Sequence, residues 1–407
     1  MDWIVDSILG KRKEEEVDTS SSQSSSIYTQ EEEEEVFFEE TPTITKANFE
    51  KATLGQLLTK IIPDADIHCP NVIIVGGQSS GKTKMIISMV FHHLIDNSDV
   101  TDPMGEQLLR IFRTGVKMVT RRPTRIDLRK PMSDNHDPCN ITLKLGERSA
   151  NFNEPGFDEI VSAVHAESLV RDNNAYSGEL RVVITAPDLP NITFTDLPGL
   201  VTEDRQLSDS QEISIRKMVQ GYMRRPNSTL VVVEPATTED YFTSQVAPML
   251  RDMKQKDQRR NIFHNSVLVL SKCDKIRQGL EQRIVRMLDL SAPLLTEDFP
   301  FRHVVGVINK VGDDEEAAVP DTVTYAEFKE QLRATKAAEM QIFADYKKQD
   351  GGSIDPNTQC TTAAVFYQMD RISFDMVHRS ISDGMASIDQ KLLRVEADIV
   401  DRLSPPL

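Results

Sequence analysis

Asn71-Val72-Ile73-Ile74-Val75-Gly76-Gly77-Gln78-Ser79-Ser80-Gly81-Lys82-Thr83 runs from a short apolar segment directly into the pattern GxxxxGK[ST]. Asn71–Val75 has the length and composition of a parallel strand buried on both faces. Met85–Leu94 follows with helical patterning. Strand, glycine loop and helix in that order are the context in which this pattern cradles phosphates. The glycines Gly76, Gly77 and Gly81 let the backbone of Gln78, Ser79 and Ser80 curl so that its N–H groups face an anion. The helix that follows adds its positive N-terminal end. Lys82 then reaches the β- and γ-phosphates of a nucleotide, and the Thr83 hydroxyl is a ligand for Mg2+.

Outward from this loop, apolar runs recur at Arg181–Thr185, Asn191–Thr195, Thr229–Val233, Val267–Leu270 and Val304–Ile308, several separated by helical stretches. Strands alternating with helices predict an α/β fold, a doubly wound and mainly parallel sheet with helices on both faces. Three further motifs close such strands. Asp196-Leu197-Pro198-Gly199 ends the run at Thr195, about 120 residues after the phosphate loop. Asp196 is placed to hold Mg2+ through water, and Gly199 to offer its N–H to a γ-phosphate. Ser271-Lys272-Cys273-Asp274 follows Leu270 and matches [NT]KxD with serine first. The Asp274 carboxylate suits the N–H and N–H2 donors of guanine, which adenine lacks, while the Lys272 stem lies over the base. Gly306-Val307-Ile308-Asn309-Lys310 follows the next strand, where Asn309 and Lys310 would close the base pocket. Between the phosphate loop and DxxG, Thr120 in Thr120-Arg121-Arg122-Pro123 is the candidate threonine that completes the Mg2+ shell and senses the γ-phosphate. Spacing alone does not single it out among neighbouring threonines. The order and context of these motifs predict a P-loop GTPase that converts GTP to GDP and phosphate.

Ala65–Lys82 (ADIHCPNVIIVGGQSSGK), Val119–Pro123 (VTRRP), Thr195–Leu200 (TDLPGL) and Gly306–Lys310 (GVINK) resemble the corresponding phrases of the dynamin superfamily of large GTPases, in which the classical, dynamin-related and Mx branches share them. The similarity runs from about residue 49 to 403. It implies that Gln78 positions the attacking water, because Leu200 stands where small GTPases carry a glutamine. It implies that Ser79 helps hold a monovalent cation (K+ or Na+) supplying charge at the developing β–γ bridge. Thr120 becomes the switch threonine, and Glu239 falls where an acid facing a paired GTPase domain is expected. The resemblance also implies a homodimer through the GTPase domain, higher oligomers through a stalk, peripheral membrane contact with membrane remodelling or fission, and association with microtubules. Two positions depart from the family. Gly115-Val116-Lys117 replaces a Gly-Ser-Gly-like cation loop, so that the Lys117 ammonium is a candidate substitute for the cation. Arg277 stands where an acid is frequent.

The helical ends extend the resemblance. Phe49–Ile62 resembles the first neck helix and Ala337–Tyr346 the second, within a GTPase unit spanning 47–348. The glycine- and proline-containing cluster at 351–357 reads as a loop. Residues 349–407 resemble the beginning of a helical stalk, in which Ile381, Met385, Ile388, Leu392, Val395, Ile399 and Leu403 form an apolar stripe that needs a partner. Either the chain is expected to be a fragment of a protein that carries the rest of such a stalk, or it is a reduced form completed by another chain.

Composition bounds the alternatives. Of a net charge of −17, the first 50 residues carry −10, with 14 acids against 4 bases. Residues 1–46, with the serine run Ser20–Ser26 and the acidic run Glu31–Glu35, read as a disordered tail. Within it, Trp3, Ile4, Ile8 and Leu9 fit either a frayed terminus or a short docking helix. The remainder lacks the basic footprint that nucleic-acid binding requires. The cysteines Cys69, Cys139, Cys273 and Cys360 form no CxxC pair, consistent with reduced thiols and a cytoplasmic protein. No apolar run has the length of a membrane span, about 18 residues, so membrane contact would be peripheral. The arginine-rich stretch Arg121, Arg122, Arg125, Arg129 and Lys130 reads as framework around the switch rather than a lipid patch. Against the mechanical reading stand a nucleotide-dependent regulatory or binding protein and an Mx-like defence GTPase.

Overall fold

The computed structural model describes residues 71–403, apart from 96–99, 113–121, 132–138, 170–177, 188, 190, 201–208, 226–227, 239–243, 257–261, 277–280, 293–294, 296–298, 309–323 and 350–354. The N-terminal tail, the expected helix Phe49–Ile62, Lys117, Thr120, Glu239, Arg277, Asn309 and Lys310 therefore lie outside the described residues.

Nine strands form one sheet: β1 (Asn71–Gly76), β2 (Thr124–Arg129), β3 (Asn140–Leu145), β4 (Arg148–Asn151), β5 (Leu180–Thr185), β6 (Ile192–Asp196), β7 (Ser228–Pro235), β8 (Ser266–Ser271) and β9 (His303–Gly306). The order is β4-β3-β5-β2-β6-β1-β7-β8-β9. Strands β6, β1, β7, β8 and β9 run parallel to one another. β2 lies antiparallel to β6 and parallel to β5, and β3 and β4 add an antiparallel edge. The described helices are α1 (Lys82–Leu94), α2 (Asp102–Ile111), α3 (Pro155–Leu169), α4 (Asp209–Met223), α5 (Ala247–Lys256), α6 (Glu281–Leu288), α7 (Tyr325–Gln349), α8 (Pro356–Gln359) and α9 (Thr361–Leu403).

Successive side chains of a strand point to opposite faces, and β1 shows the consequence. Val72 and Ile74 join one core with Met85, Phe91, Leu108, Phe328 and Phe366, residues of α1, α2, α7 and α9. Ile73 and Val75 join a second core with Val219, Met249 and Ile284, from α4, α5 and α6. An uninterrupted apolar strand is thus what a central position in a doubly wound sheet demands.

The sequence reading anticipated six of the nine strands. β2 (TRIDLR) escaped it because half of its residues are charged. Its central Asp127 has no exposed side-chain surface, and Arg125 and Arg129 of the same strand pair with it together with Arg181 of β5. Thr193 adds a hydrogen bond at 2.5 Å. Burial works to raise the Asp127 pKa, but the Thr193 hydroxyl and the three guanidinium groups outweigh it and hold the carboxyl below its usual range. The basic run of the sequence therefore serves in part as internal framework.

Two helical expectations also change in place. α7, read as a neck helix, is packed into the domain: Tyr325, Phe328, Leu332, Phe343 and Tyr346 are buried. α9 begins at Thr361, within the stretch 349–407 expected to open a stalk, and its first turns lie in the core, with Ala364, Val365, Phe366, Met369, Ile372 and Val377 buried. Only farther along do its described apolar side chains face solvent, Leu392 at 55% and Leu393 at 65% exposure. The apolar spacing of a helix does not say whether a sheet or another helix covers it. Pro356 and Asn357, expected in a loop, form the start of the single turn α8. No described helix is long and apolar enough to cross a membrane.

Candidate functional site

The three motifs with described residues meet at the C-terminal edge of the parallel strands. Strand β1 delivers Gly76, and α1 starts at Lys82 after Gly81, whose φ of 92° is left-handed. Gly76 has no room for a side chain: a Cβ there would sit 2.4 Å from the Val233 carbonyl oxygen on β7 and 2.7 Å from Ser80 Oγ. Gly77 and Gln78 are half-buried, Ser79 is exposed with φ 57°, and Ser80 is buried. The loop thus presents the backbone around Gln78 and Ser79 outward, as an anion cradle requires.

Lys82 is buried and donates to the carbonyl oxygens of Gly76 at 3.1 Å and Gly77 at 2.8 Å. Burial lowers its pKa, opposed by the negative charges of Asp196 and Glu234. Such an ammonium, stripped of water and held at the loop, is poised to trade backbone carbonyls for phosphate oxygens.

Asp196 ends β6 at a position paired with Ile74 of β1 and Thr124 of β2. It is 4% exposed. Its carboxylate and the hydroxyl of Thr83 in the first turn of α1 are hard oxygen donors suited to Mg2+. No group of three or more His, Cys, Asp or Glu side chains among the described residues could enclose a metal. Two protein oxygens fit an ion that completes its shell with water and phosphate oxygens. Thr124 opens β2 beside Asp196, and Thr120, the candidate switch threonine, lies outside the described residues.

The DxxG turn is fastened to the phosphate loop. Gln78 N donates to the Leu200 carbonyl at 2.8 Å, and Leu200 N to the Gly76 carbonyl at 3.2 Å. A Cβ on Gly199 would lie 2.9 Å from Gln78 Cα and 3.3 Å from Lys82 Nζ. Leu200, where a small GTPase would carry its catalytic glutamine, is 3% exposed and packed in the second core. It has no means of orienting water, whereas half-buried Gln78 lies alongside it.

The base motif closes the other side. Ser271 Oγ donates to the Ser80 carbonyl at 2.5 Å, and to the Glu234 carbonyl at a longer 3.4 Å. The unusual serine at the head of the motif thus binds it to the phosphate loop. Lys272 adopts a left-handed φ of 58° and starts the 3-10 turn Cys273–Lys275, which leaves Asp274 exposed for a base. Cys273 N donates to the Val307 carbonyl at 3.3 Å, which brings the segment leading to Asn309 and Lys310 beside the SKCD turn.

Three residues at the site escaped the sequence reading. Glu234, at the end of β7, is buried and accepts a hydrogen bond from Ser244 at 2.6 Å. Burial raises its pKa against the opposing effects of Ser244 and Lys82. Tyr346 of α7 donates to the Cys273 carbonyl at 2.9 Å, and Glu339 of α7 accepts from Ile308 N at 2.7 Å. None lies within a motif. Only an acid amid the apolar run of β7, and one on the inner face of α7, marked two of them.

Comparison with known proteins agrees with this geometry. The dynamin family signature matches residues 105–273. The chain is 26% identical to Dynamin-A of Dictyostelium discoideum over 61% of this chain and 26% of that protein. It is 28% identical to Dynamin-1-like protein of Bos taurus over 54% of this chain and 30% of the relative. An interferon-induced GTP-binding protein Mx of Ctenopharyngodon idella is 26% identical over 56% of this chain and 32% of the relative. The aligned part of the chain thus spans about a third or less of these relatives.

Proposed function

We propose, from the premise that this chain carries a dynamin-family GTPase domain, that it binds GTP with Mg2+ and hydrolyses it in a reaction activated by pairing of GTPase domains. The observation that carries this reading is the hydrogen-bonded union of the phosphate loop, the Gly199–Leu200 turn and Ser271 into one cradle. Backbone N–H groups from Gly77 to Thr83 and the Lys82 ammonium hold the phosphates. Asp274 and Lys272 select guanine, with Asn309 and Lys310 completing the base pocket. Mg2+, held by Thr83 and Asp196 and by Thr120 when its segment closes, would neutralise charge on the β- and γ-phosphates. Gln78 orients the attacking water, because the buried Leu200 lacks any polar group. Ser79, exposed at the tip of the loop, is placed to help hold K+ or Na+ at the β–γ bridge.

Hydrolysis is coupled in this reading to movement of α9, which leaves the core beyond Val377 and would carry that movement toward a stalk and a membrane. The Mx relative stands at an identity comparable to the dynamins, so a defence GTPase remains the second reading. Turnover of GTP across a range of protein concentrations, with Lys82→Ala as control, tests the proposal. Specific activity that rises with concentration and vanishes in Lys82→Ala is expected. Turnover that persists in Lys82→Ala would overturn the assignment of the site, and flat turnover would remove the paired-domain mechanism.

A further inference from the structure

Helix α7 touches both guanine-side loops. Tyr346 holds the Cys273 carbonyl inside the SKCD turn. Three residues before Tyr346, the Phe343 ring lies against Gly306, where a Cβ would come within 2.9 Å of its Cε1. One turn earlier again, Glu339 is 3% exposed and accepts the N–H of Ile308, the residue immediately before Asn309 and Lys310. The same carboxyl accepts the N–H of Thr362. Thr362 is the second residue of α9, where a backbone N–H has no partner within the helix. Glu339 thus acts as a cap supplied from another helix, and Thr361 beside it has the left-handed φ of 83°. Gly306 and Cys360 form a bridge that binds the same two segments.

A buried carboxyl group in a GTPase domain is expensive unless hydrogen-bonded, and this one is shared between two elements of different purpose. A cap alone would need only Thr362, and a loop support only Ile308. We infer that Glu339 is a positioning residue for guanine specificity, fixing the backbone at Ile308 against the start of α9 so that the strand end leading to the base pocket and the long helix move as one. The inference rests on the GTPase reading above and deepens it. It predicts that loss of the carboxyl impairs recognition of the base more than recognition of the triphosphate, because the phosphate loop makes no contact with α7 among the hydrogen bonds described.

The test compares the binding of fluorescent GTP and ATP analogues to the full chain, wild type, Glu339→Ala and Glu339→Gln. Removal of the buried hydrogen bond that holds Ile308 is expected to lower GTP affinity about tenfold in Glu339→Ala, with ATP affinity unchanged. Glu339→Gln keeps an acceptor for one N–H but turns an amide donor toward the other, so its preference for GTP over ATP should fall by less, about threefold. A structural role alone would lower the melting temperature and leave the GTP-to-ATP ratio as in wild type. That unchanged ratio, in Glu339→Gln if the alanine variant does not fold, would overturn the inference. A wild-type chain with no preference for GTP would overturn the guanine reading itself, and this inference with it.

Discussion

The hydroxyl of Ser271 donates a hydrogen bond to the carbonyl of Ser80 at 2.5 Å, joining residues 191 positions apart in the chain. It makes the base-recognition motif and the phosphate loop one mechanical unit, so that a shift of either is felt by both.

Ser271→Ala should therefore weaken nucleotide binding as a whole rather than base selection. A lost buried hydrogen bond that leaves the Ser80 carbonyl unsatisfied is expected to destabilise the domain by about 1–3 kcal/mol. Ser271→Thr keeps the hydroxyl and should retain most of the binding. Titration with fluorescent GDP and GTP, beside urea unfolding, measures both. Wild-type affinity in Ser271→Ala would show that the bond is incidental.

Gly199→Ala should separate binding from hydrolysis. The added methyl would lie 2.9 Å from Gln78 Cα and 3.2 Å from Gln78 N, so the DxxG turn must move off the loop. GDP affinity should change little, while single-turnover hydrolysis falls by at least about tenfold, as expected when a reacting geometry is displaced by a fraction of an ångström. Equal losses in both would place Gly199 in general folding instead.

Asp127→Ala should be among the most destabilising single changes in the sheet. It leaves Arg125, Arg129 and Arg181 facing one another without their shared anion. Breaking such a buried pairing costs about 3–5 kcal/mol, with the low end expected here because the arginines retain solvent contact. Thermal unfolding measures it, and a change below about 1 kcal/mol would contradict the framework role.

Stability should depend on pH in two windows of opposite sign. Burial, with help from His92 and Lys336, lowers the pKa of His93 to about 4. Burial, with Arg371, His264 and Arg302, lowers that of His303 to about 4 as well. The unfolded chain therefore binds protons that the folded chain refuses. This contribution is intact above about pH 6.5 and is lost as pH falls toward 4. His93→Phe, placed beside Phe366 at a ring distance of 4.7 Å in wild type, should flatten that slope. Glu339 runs the other way. Burial raises its pKa to about 8 against the Ile308 and Thr362 N–H groups and Lys336. Its contribution is full below about pH 4.5 and declines as pH rises through 8, a decline that Glu339→Gln should remove. Melting temperatures from pH 4 to 9 check both slopes.

The parallel half of the sheet was legible because its strands are apolar runs, and all but β7 end in a motif residue at the edge where ligands bind. The antiparallel half was not. β2 buries Asp127 between its own Arg125 and Arg129, and the remaining partners, Arg181 of β5 and Thr193 of β6, arrive only with those strands. Charge in a sequence reads as surface until a tertiary partner is known. The same reason explains Glu234 and Glu339, buried acids whose partners lie on other elements.

The sequence by itself determined the phosphate loop, the order of the nucleotide motifs and the doubly wound core, because these depend on local backbone chemistry and on apolar periodicity. Only the tertiary structure decided which helices belong to the core. α7 and the first turns of α9 carry apolar stripes that would serve equally against a sheet or in a bundle. Packing of α9 against β7, β8 and β9, and of α7 against α2, α8 and α9, resolved that ambiguity, since a stripe specifies that it must be covered and not by what.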